Sequence, residues 1–378
     1  MPEQINAEAF TPGEYIQEEL EERGWTQLDL AEILGRPPQA VNEIINGKKS
    51  ITPETAIGLA GAFGTSAQLW MNLEAAYQLS KVGPDVGAVS KRARLYEIAP
   101  ISQMQRRGWI ESSSNIEVLE AQVLRFFGAK SLEESLSFAH AARKSTDYSK
   151  VTPSQLTWLY RAERLARVVD VTGRFSDDSF RLALSQISRL KSDAQEIRHL
   201  PKILAKSGIR FLVIEHLPST KIDGMCFWLD AESPVIVISL RYDRIDWFWH
   251  TFMHEMYHVK NRDGVEETTL DTQLVGSDAQ PFDQKPENEK RADSFAAGFV
   301  VDQAKLKDFI RRVHPLYSRT RIVGFANQQG VHPGIVVGQL QHLGKINYSH
   351  SRGLLESVKE IITSSSLTDG WGHLPQVA

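Results

Sequence analysis

Val235-Ile-Val-Ile-Ser-Leu-Arg241 and, shortly after it, His254-Glu255-Met256-Tyr257-His258 decide how this chain reads. The first is a β-branched run of strand length. Two comparable runs, Ile209–Ile214 and Met225–Leu229, precede it, with Pro218, Asp223-Gly224 and Pro234 as separators. We read Val235–Arg241 as an edge strand, able to pair with an extended substrate backbone. The second lies where a helical period has returned, from Asp246 onward. Positions i and i+4 share a helix face, so both imidazoles reach one ion. Glu255 stands beside that face, where a carboxylate takes a proton from metal-bound water.

Working outward, Glu289-Lys-Arg-Ala-Asp293 repeats the one-turn spacing in a second helical stretch, with Phe295, Ala296, Phe299 and Val300 as its apolar side. Glu289 completes a His/His/Glu ligand set and leaves a fourth position open for water. Glu287 is the alternative ligand. Asp293, one turn on, is placed to receive the other ring N–H of a ligand histidine. His250 reads as packing or capping, because a fourth protein ligand would close the site. His216, Arg241, Tyr242 and His314 are weighed as oxyanion stabilisers, with nothing in their spacing to support them.

The N-terminal part has a different signature. Trp25-Thr-Gln-Leu-Asp-Leu-Ala-Glu-Ile-Leu-Gly35, followed by Arg36-Pro-Pro-Gln-Ala-Val-Asn-Glu-Ile-Ile-Asn-Gly47, reads as helix-turn-helix. Thr26 caps the first helix, Gly35 makes the turn, and Pro38 opens the second helix. Apolar positions recur at Ile16, Leu20, Leu28, Leu30, Ala31, Ile33, Leu34, Val41, Ile44 and Ile45, with Gly24, Gly35, Gly47 and Gly64 as stops. In that geometry the second helix enters the major groove. Gln39 and Asn42 carry amides suited to adenine, while Gln27, Lys48 and Lys49 are positioned for phosphates. The competing reading is a helical hairpin that binds protein.

The 378 residues divide, on pattern, into a helix-turn-helix domain at 1–80, a linker and helical middle region at 81–200, a domain bearing the metal motif at 201–325, and a C-terminal helical extension with a loose tail at 326–378. Lys81–Pro100 reads as the linker. Val118, Leu119, Val123, Leu124, Phe126 and Phe127 read as one core stripe of the middle region. The overall charge of −4 splits into −8 over residues 1–80, +5 over 81–200 and −1 over 201–378. The acid of the first segment clusters at Glu14–Glu22, whereas Arg36–Lys49 holds three basic side chains and one acid. In the basic middle, Arg161, Arg164 and Arg167 read as a solvated helix face, with a second nucleic-acid surface as the alternative. The single cysteine, Cys226, excludes an intrachain disulfide framework and a Cys-rich zinc site. With no 18-residue apolar run and no basic-then-apolar start, the expectation is a cytoplasmic protein without membrane spans. Ala326–Leu340 has another helix-turn-helix rhythm, read as packing.

Two resemblances follow from these residues. Thr11–Leu79, including Asn-Gly-Lys-Lys-x-Ile-Thr-Pro-Glu-Thr-Ala and Leu-Trp-Met-Asn-Leu-Glu-Ala-Ala-Tyr, resembles HigA-type antitoxins of the XRE helix-turn-helix family. That resemblance implies a five-helix lambda-repressor-like domain, a homodimer and a double-stranded operator DNA partner; it leaves a toxin partner open. Met225–Leu240, His254–His258 and Glu289–Ala297 resemble ImmA/IrrE-type metallopeptidases, over roughly residues 205–325. This implies a mainly α chain with a small α+β zincin-like domain. It further implies Zn²⁺ held by His254, His258 and Glu289, Glu255 as general base, and a repressor or the chain itself as protein substrate. Met256-Tyr257 stands where that family often has Leu-Gly, and Gly298-Phe-Val-Val301 where it has Leu-Leu-x-Pro. Neither removes a reacting group, and a non-catalytic sensor or scaffold is the second expectation.

Overall fold

The computed structural model describes residues 11–81, 86–131, 151–265, 269–272, 274 and 282–371. Contacts divide the chain into two compact units, Met1–Lys91 and Arg92–Ala378.

In the first unit five helices follow one another: α1 (Pro12–Arg23), α2 (Gln27–Ile33), α3 (Pro38–Ile45), α4 (Pro53–Phe63) and α5 (Ala67–Lys81). Local chemistry sets most of their ends. Thr11 and Thr26 each close a capping box, with Glu14 and Asp29 respectively. Pro38 is the first residue of α3, and Gly24 ends α1 at φ 66°. Ile16, Leu20, Leu30, Ala31, Val41, Ile44, Leu59, Phe63 and Trp70 form one core. Leu28 and Ile33 depart from the expected pattern and stay exposed. On the 3.6-residue period they fall to either side of the inward stripe of Leu30, Ala31 and Leu34, and so face out. Gly13 has a packing role: a Cβ there would lie 1.9 Å from the carbonyl oxygen of Ile45, so only glycine lets α1 approach the end of α3 this closely.

The second unit is mainly helical around a five-stranded sheet. The stretch expected as linker forms α6 (Val86–Ile98), which begins before Arg92 and whose Leu95 and Ile98 are buried. Then come α7 (Ile101–Arg106), α8 (Ile116–Phe127), α9 (Pro153–Ala166), α10 (Asp177–Ile187) and α11 (Leu200–Lys206). Val118 leaves the expected stripe of α8 and is exposed. Strands β1 (Arg210–Ile214), β2 (Ile222–Trp228) and β3 (Pro234–Ile238) lead to α12 (Ile245–Asn261). After it come β4 (Thr269–Thr272), α13 (Glu287–Val300), α14 (Gln303–Val313), α15 (Arg319–Gln329), α16 (Pro333–His342), α17 (Lys359–Thr363) and β5 (Leu367–Asp369).

The strand order is β4-β2-β3-β1-β5, with β1 parallel to β3 and β5, and β2 antiparallel to β3 and β4. Two expectations are corrected here. The Val235 run is a central strand, not an edge, and its unbroken apolar residues are what burial on both faces requires. The tail read as loose supplies β5, whose Asp369 is 1% exposed and ion-paired with Arg161. That pair also takes Arg161 off the solvated face expected of it, and Arg164 donates to the carbonyls of Arg125 and Phe126. Residues 372–378 lie outside the described residues. Helix α12 packs on β2, β3, α13 and α16. Ile322, Phe325, Ile335, Val336 and Leu340, beyond the boundary drawn at 326 or just before it, share its core. No described helix is long and apolar enough to cross a membrane.

The contrast between Gly13 and Gly24 is testable by urea denaturation of the full chain. Gly24→Ala meets open space and costs only its left-handed backbone, about 1 kcal/mol. Gly13→Ala forces two backbones apart, and we expect a loss of about 2 kcal/mol or more in the first unit. Equal losses, or the reverse order, would contradict the packing role.

Candidate functional site

The reading face of the first unit is built by α2 and α3. Burial of Val41, Ile44 and Ile45 turns Gln39 and Asn42 outward, and both are exposed. Asn42 Nδ2 donates to Gln27 Oε1 at 3.1 Å, tying the second helix to the start of the first. Gln39 Nε2 donates to Glu43 Oε1 at 3.1 Å. Lys48 and Lys49 follow α3 and are exposed. Arg36 donates to the Thr55 hydroxyl at 2.7 Å. The five residues expected to meet DNA thus lie on the two helices and the turn after them.

The second site is assembled by α12 and α13. His254, Glu255 and His258 are each 0% exposed, and Glu289 is 5% exposed. His254 Nε2 is 3.0 Å from Glu289 Oε2, and His258 Nε2 is 3.7 Å from Glu289 Oε1. Donor atoms of His254, His258 and Glu289 all lie within 4.8 Å of one another, a set whose chemistry and spacing fit a divalent ion of zinc type. Glu287 does not join them; its side chain is 70% exposed and pairs with Arg291. Asp293 Oδ1 is 3.0 Å from His254 Nδ1, and its Oδ2 accepts from Lys285 Nζ at 2.6 Å. His250 turns to the same carboxylate, at 3.4 Å. Burial pushes the Asp293 carboxyl up, but hydrogen bonds from His250 and His254 outweigh it and hold the group far below the usual carboxylate range. Glu289 is likewise held low by His254 and His258 against the effect of burial. Arg241 binds Asp223 through two hydrogen bonds, 2.8 and 3.1 Å long, and so is committed elsewhere than an oxyanion.

Three participants escape the motif. Asp263 Oδ2 lies 2.9 Å from His258 Nδ1, the counterpart of Asp293 on the second imidazole. Lys285 neutralises Asp293. Gly224, expected in a turn, is inside β2 at a register irregularity. A Cβ on it would lie 2.2 Å from Glu255 Oε1, so the missing side chain is the room the carboxylate occupies. A glycine inside a strand is the usual sign of a bulge or a close approach, and that signal was present in the sequence.

A family model described as Helix-turn-helix matches residues 16–70. The Escherichia coli K12 uncharacterized HTH-type transcriptional regulator YddM is 36% identical over 84 residues, which are 22% of this chain and 88% of that protein. Virulence-associated protein I of Dichelobacter nodosus is 36% identical over 83 residues, 22% of this chain and 77% of that one. Among solved structures, Pseudomonas aeruginosa antitoxin HigA with the higBA promoter is 36% identical, covers 19% of this chain and 80% of its own, and has a TM-score of 0.19. A HigA-family addiction module antidote protein from Coxiella burnetii is 36% identical, covers 21% and 89%, and has a TM-score of 0.21. By residues 16–70 the chain belongs to the helix-turn-helix family of HTH-type transcriptional regulators.

Proposed function

We propose that this chain is an operator-binding regulator whose second unit is a zinc-dependent peptidase acting on a repressor, the chain itself included. The observation that carries the enzymatic part is the convergence of buried His254, His258 and Glu289 donors beside the Glu255 carboxylate. When bound, zinc supplies a Lewis acid that lowers the pKa of a coordinated water toward neutrality and polarises a peptide carbonyl. Glu255 takes a proton from water and returns it to the leaving amine. Asp293 and Asp263 accept from the Nδ1 atoms of the two histidines, which fixes each ring and leaves Nε2 for the ion. Gly224 leaves Glu255 its position.

For the first unit the reading rests on family membership and on the exposed amides of Gln39 and Asn42. Two copies, each placing α3 in a major groove, would read an operator of two half-sites. The relative matched over 88% of its own length, YddM, is an HTH-type transcriptional regulator. This favours a second reading, in which the metal site of a HigA-like repressor senses or supports without turnover.

Metal analysis should find one zinc per chain in the wild type. Glu255→Gln should keep the zinc and lose roughly 10²–10⁴-fold in cleavage of a repressor substrate. A metal-free wild type, or full proteolysis by that variant, refutes the peptidase; unchanged operator binding with no cleaved species in cells selects the second reading. Asp263→Asn should weaken zinc binding by about 10–100-fold, measured by chelator competition. Gly224→Ala should displace Glu255 and cut turnover while zinc content stays at wild type; unimpaired turnover would remove the close approach from the mechanism. On DNA, Gln39→Ala and Asn42→Ala should each cost about 1–3 kcal/mol on the specific operator and little on random sequence. An equal loss on both would make those amides backbone contacts, and no operator binding by the wild type would favour a protein-pairing hairpin.

A further inference from the structure

A cavity of about 280 Å³ lies between α12, α13, α14 and α16, and the proposed peptidase chemistry does not use it. Its floor carries His250 and Asp293 between the apolar side chains of Leu274, Val300 and Ile335. Its mouth carries Phe282, Leu343 and Tyr348, which are 50%, 44% and 46% exposed. A single exposed apolar side chain is ordinary, but three around one opening mark a binding mouth.

The place of the cavity is specific. Asp293 meets His254 at Nδ1, the ring nitrogen opposite the Nε2 that faces Glu289. The cavity therefore opens behind a metal ligand, away from the ion position. A molecule bound there would touch the groups that orient His254 and never the metal.

Charge decides its chemistry. Both carboxylates of the lining are already matched: Asp246 by a two-bond pair with Arg244, and Asp293 by Lys285 and the imidazoles. Lys307 and His342, at the mouth, make no side-chain hydrogen bond or ion pair among the described residues. Among the side chains left without a protein partner, the one cation is Lys307, over an apolar interior.

We infer that this cavity binds a small organic carboxylate with an apolar or aromatic body, and that its occupancy changes the affinity of the metal site through His250, Asp293 and His254. The volume suits a single ring or a short chain, at the small end of known ligand pockets. Binding itself is independent of the zinc reading; the coupling rests on it, and by linkage it is reciprocal.

The test uses the full chain, chelator-treated and zinc-loaded, with benzoate, phenylacetate and octanoate as probes and their primary amides as neutral controls. Calorimetry should show at least one carboxylate binding saturably, with its amide about tenfold weaker or worse. Lys307→Ala, at an exposed position that tolerates truncation, should cost about tenfold, and Ala297→Trp should fill the cavity and abolish binding. Zinc should shift the probe's Kd about fivefold or more, and the probe should shift zinc's by the same factor. No saturable binding in either form, amides that bind as tightly as acids, or full binding by Lys307→Ala overturns the ligand assignment. A probe Kd that is identical with and without zinc overturns the coupling. Binding to a chain that takes up no zinc upholds the cavity and refutes the metal reading.

Discussion

Four ionisable side chains, His254, Glu255, His258 and Glu289, sit inside the second unit at 0%, 0%, 0% and 5% exposure, and much of that unit follows from keeping them there. Burying such groups without partners costs several kcal/mol each. The fold offsets that cost with carboxylate–imidazole contacts on both rings and with Lys285 behind Asp293. These contacts dictate that α12 and α13 lie side by side, with Glu289 opposite both histidines. An apolar core of the same volume would be easier to build. That this one keeps its charges is the observation on which the proposed chemistry rests.

The supports come from unlike sources. Asp293 reaches His254 because it sits one turn beyond Glu289 on the same helix. Asp263 reaches His258 because α12 ends on Arg262 in the left-handed conformation, at φ 59°. That residue bends the chain back so that the Asp263 amide meets the His258 carbonyl at 2.9 Å and its side chain meets the ring. A non-glycine residue held there costs roughly 1–2 kcal/mol, which the site compensates. Gly224 contributes by absence, since β2 passes close to the Glu255 carboxylate.

What was legible in the sequence is what repeats within one helix. His254 and His258, or Glu289 and Asp293, are four residues apart, and helical geometry alone brings each pair to one face. The Thr26 cap and the stop glycines were legible for the same reason: their partners are three or four residues away. Asp263 and Lys285 were not, because a turn and a loop carry them to the site. The position of β3 departs from the edge expected of it, and the signal for this lies in Val235–Ile238, four consecutive β-branched residues that indicate burial on both faces. The pairing of β5 with β1 spans about 150 residues and left no local trace beyond Leu367 and Asp369 themselves.

The acidity of residues 1–80 has a physical consequence for the proposed binding of DNA. Glu14 is engaged in a capping box and Glu19 pairs with Arg23, and residues 1–80 carry −8 in all. Its reading face offers two amides and two lysines, with Arg36 held by Thr55. Non-specific affinity for DNA is almost wholly electrostatic, whereas specific affinity adds hydrogen bonds to base edges. Acid in the same small module therefore subtracts a similar amount from both. Discrimination is the difference between the two. A weakly cationic face beside an acidic helix thus lowers affinity for DNA of every sequence and, on the proposed reading, leaves discrimination to the amides of Gln39 and Asn42.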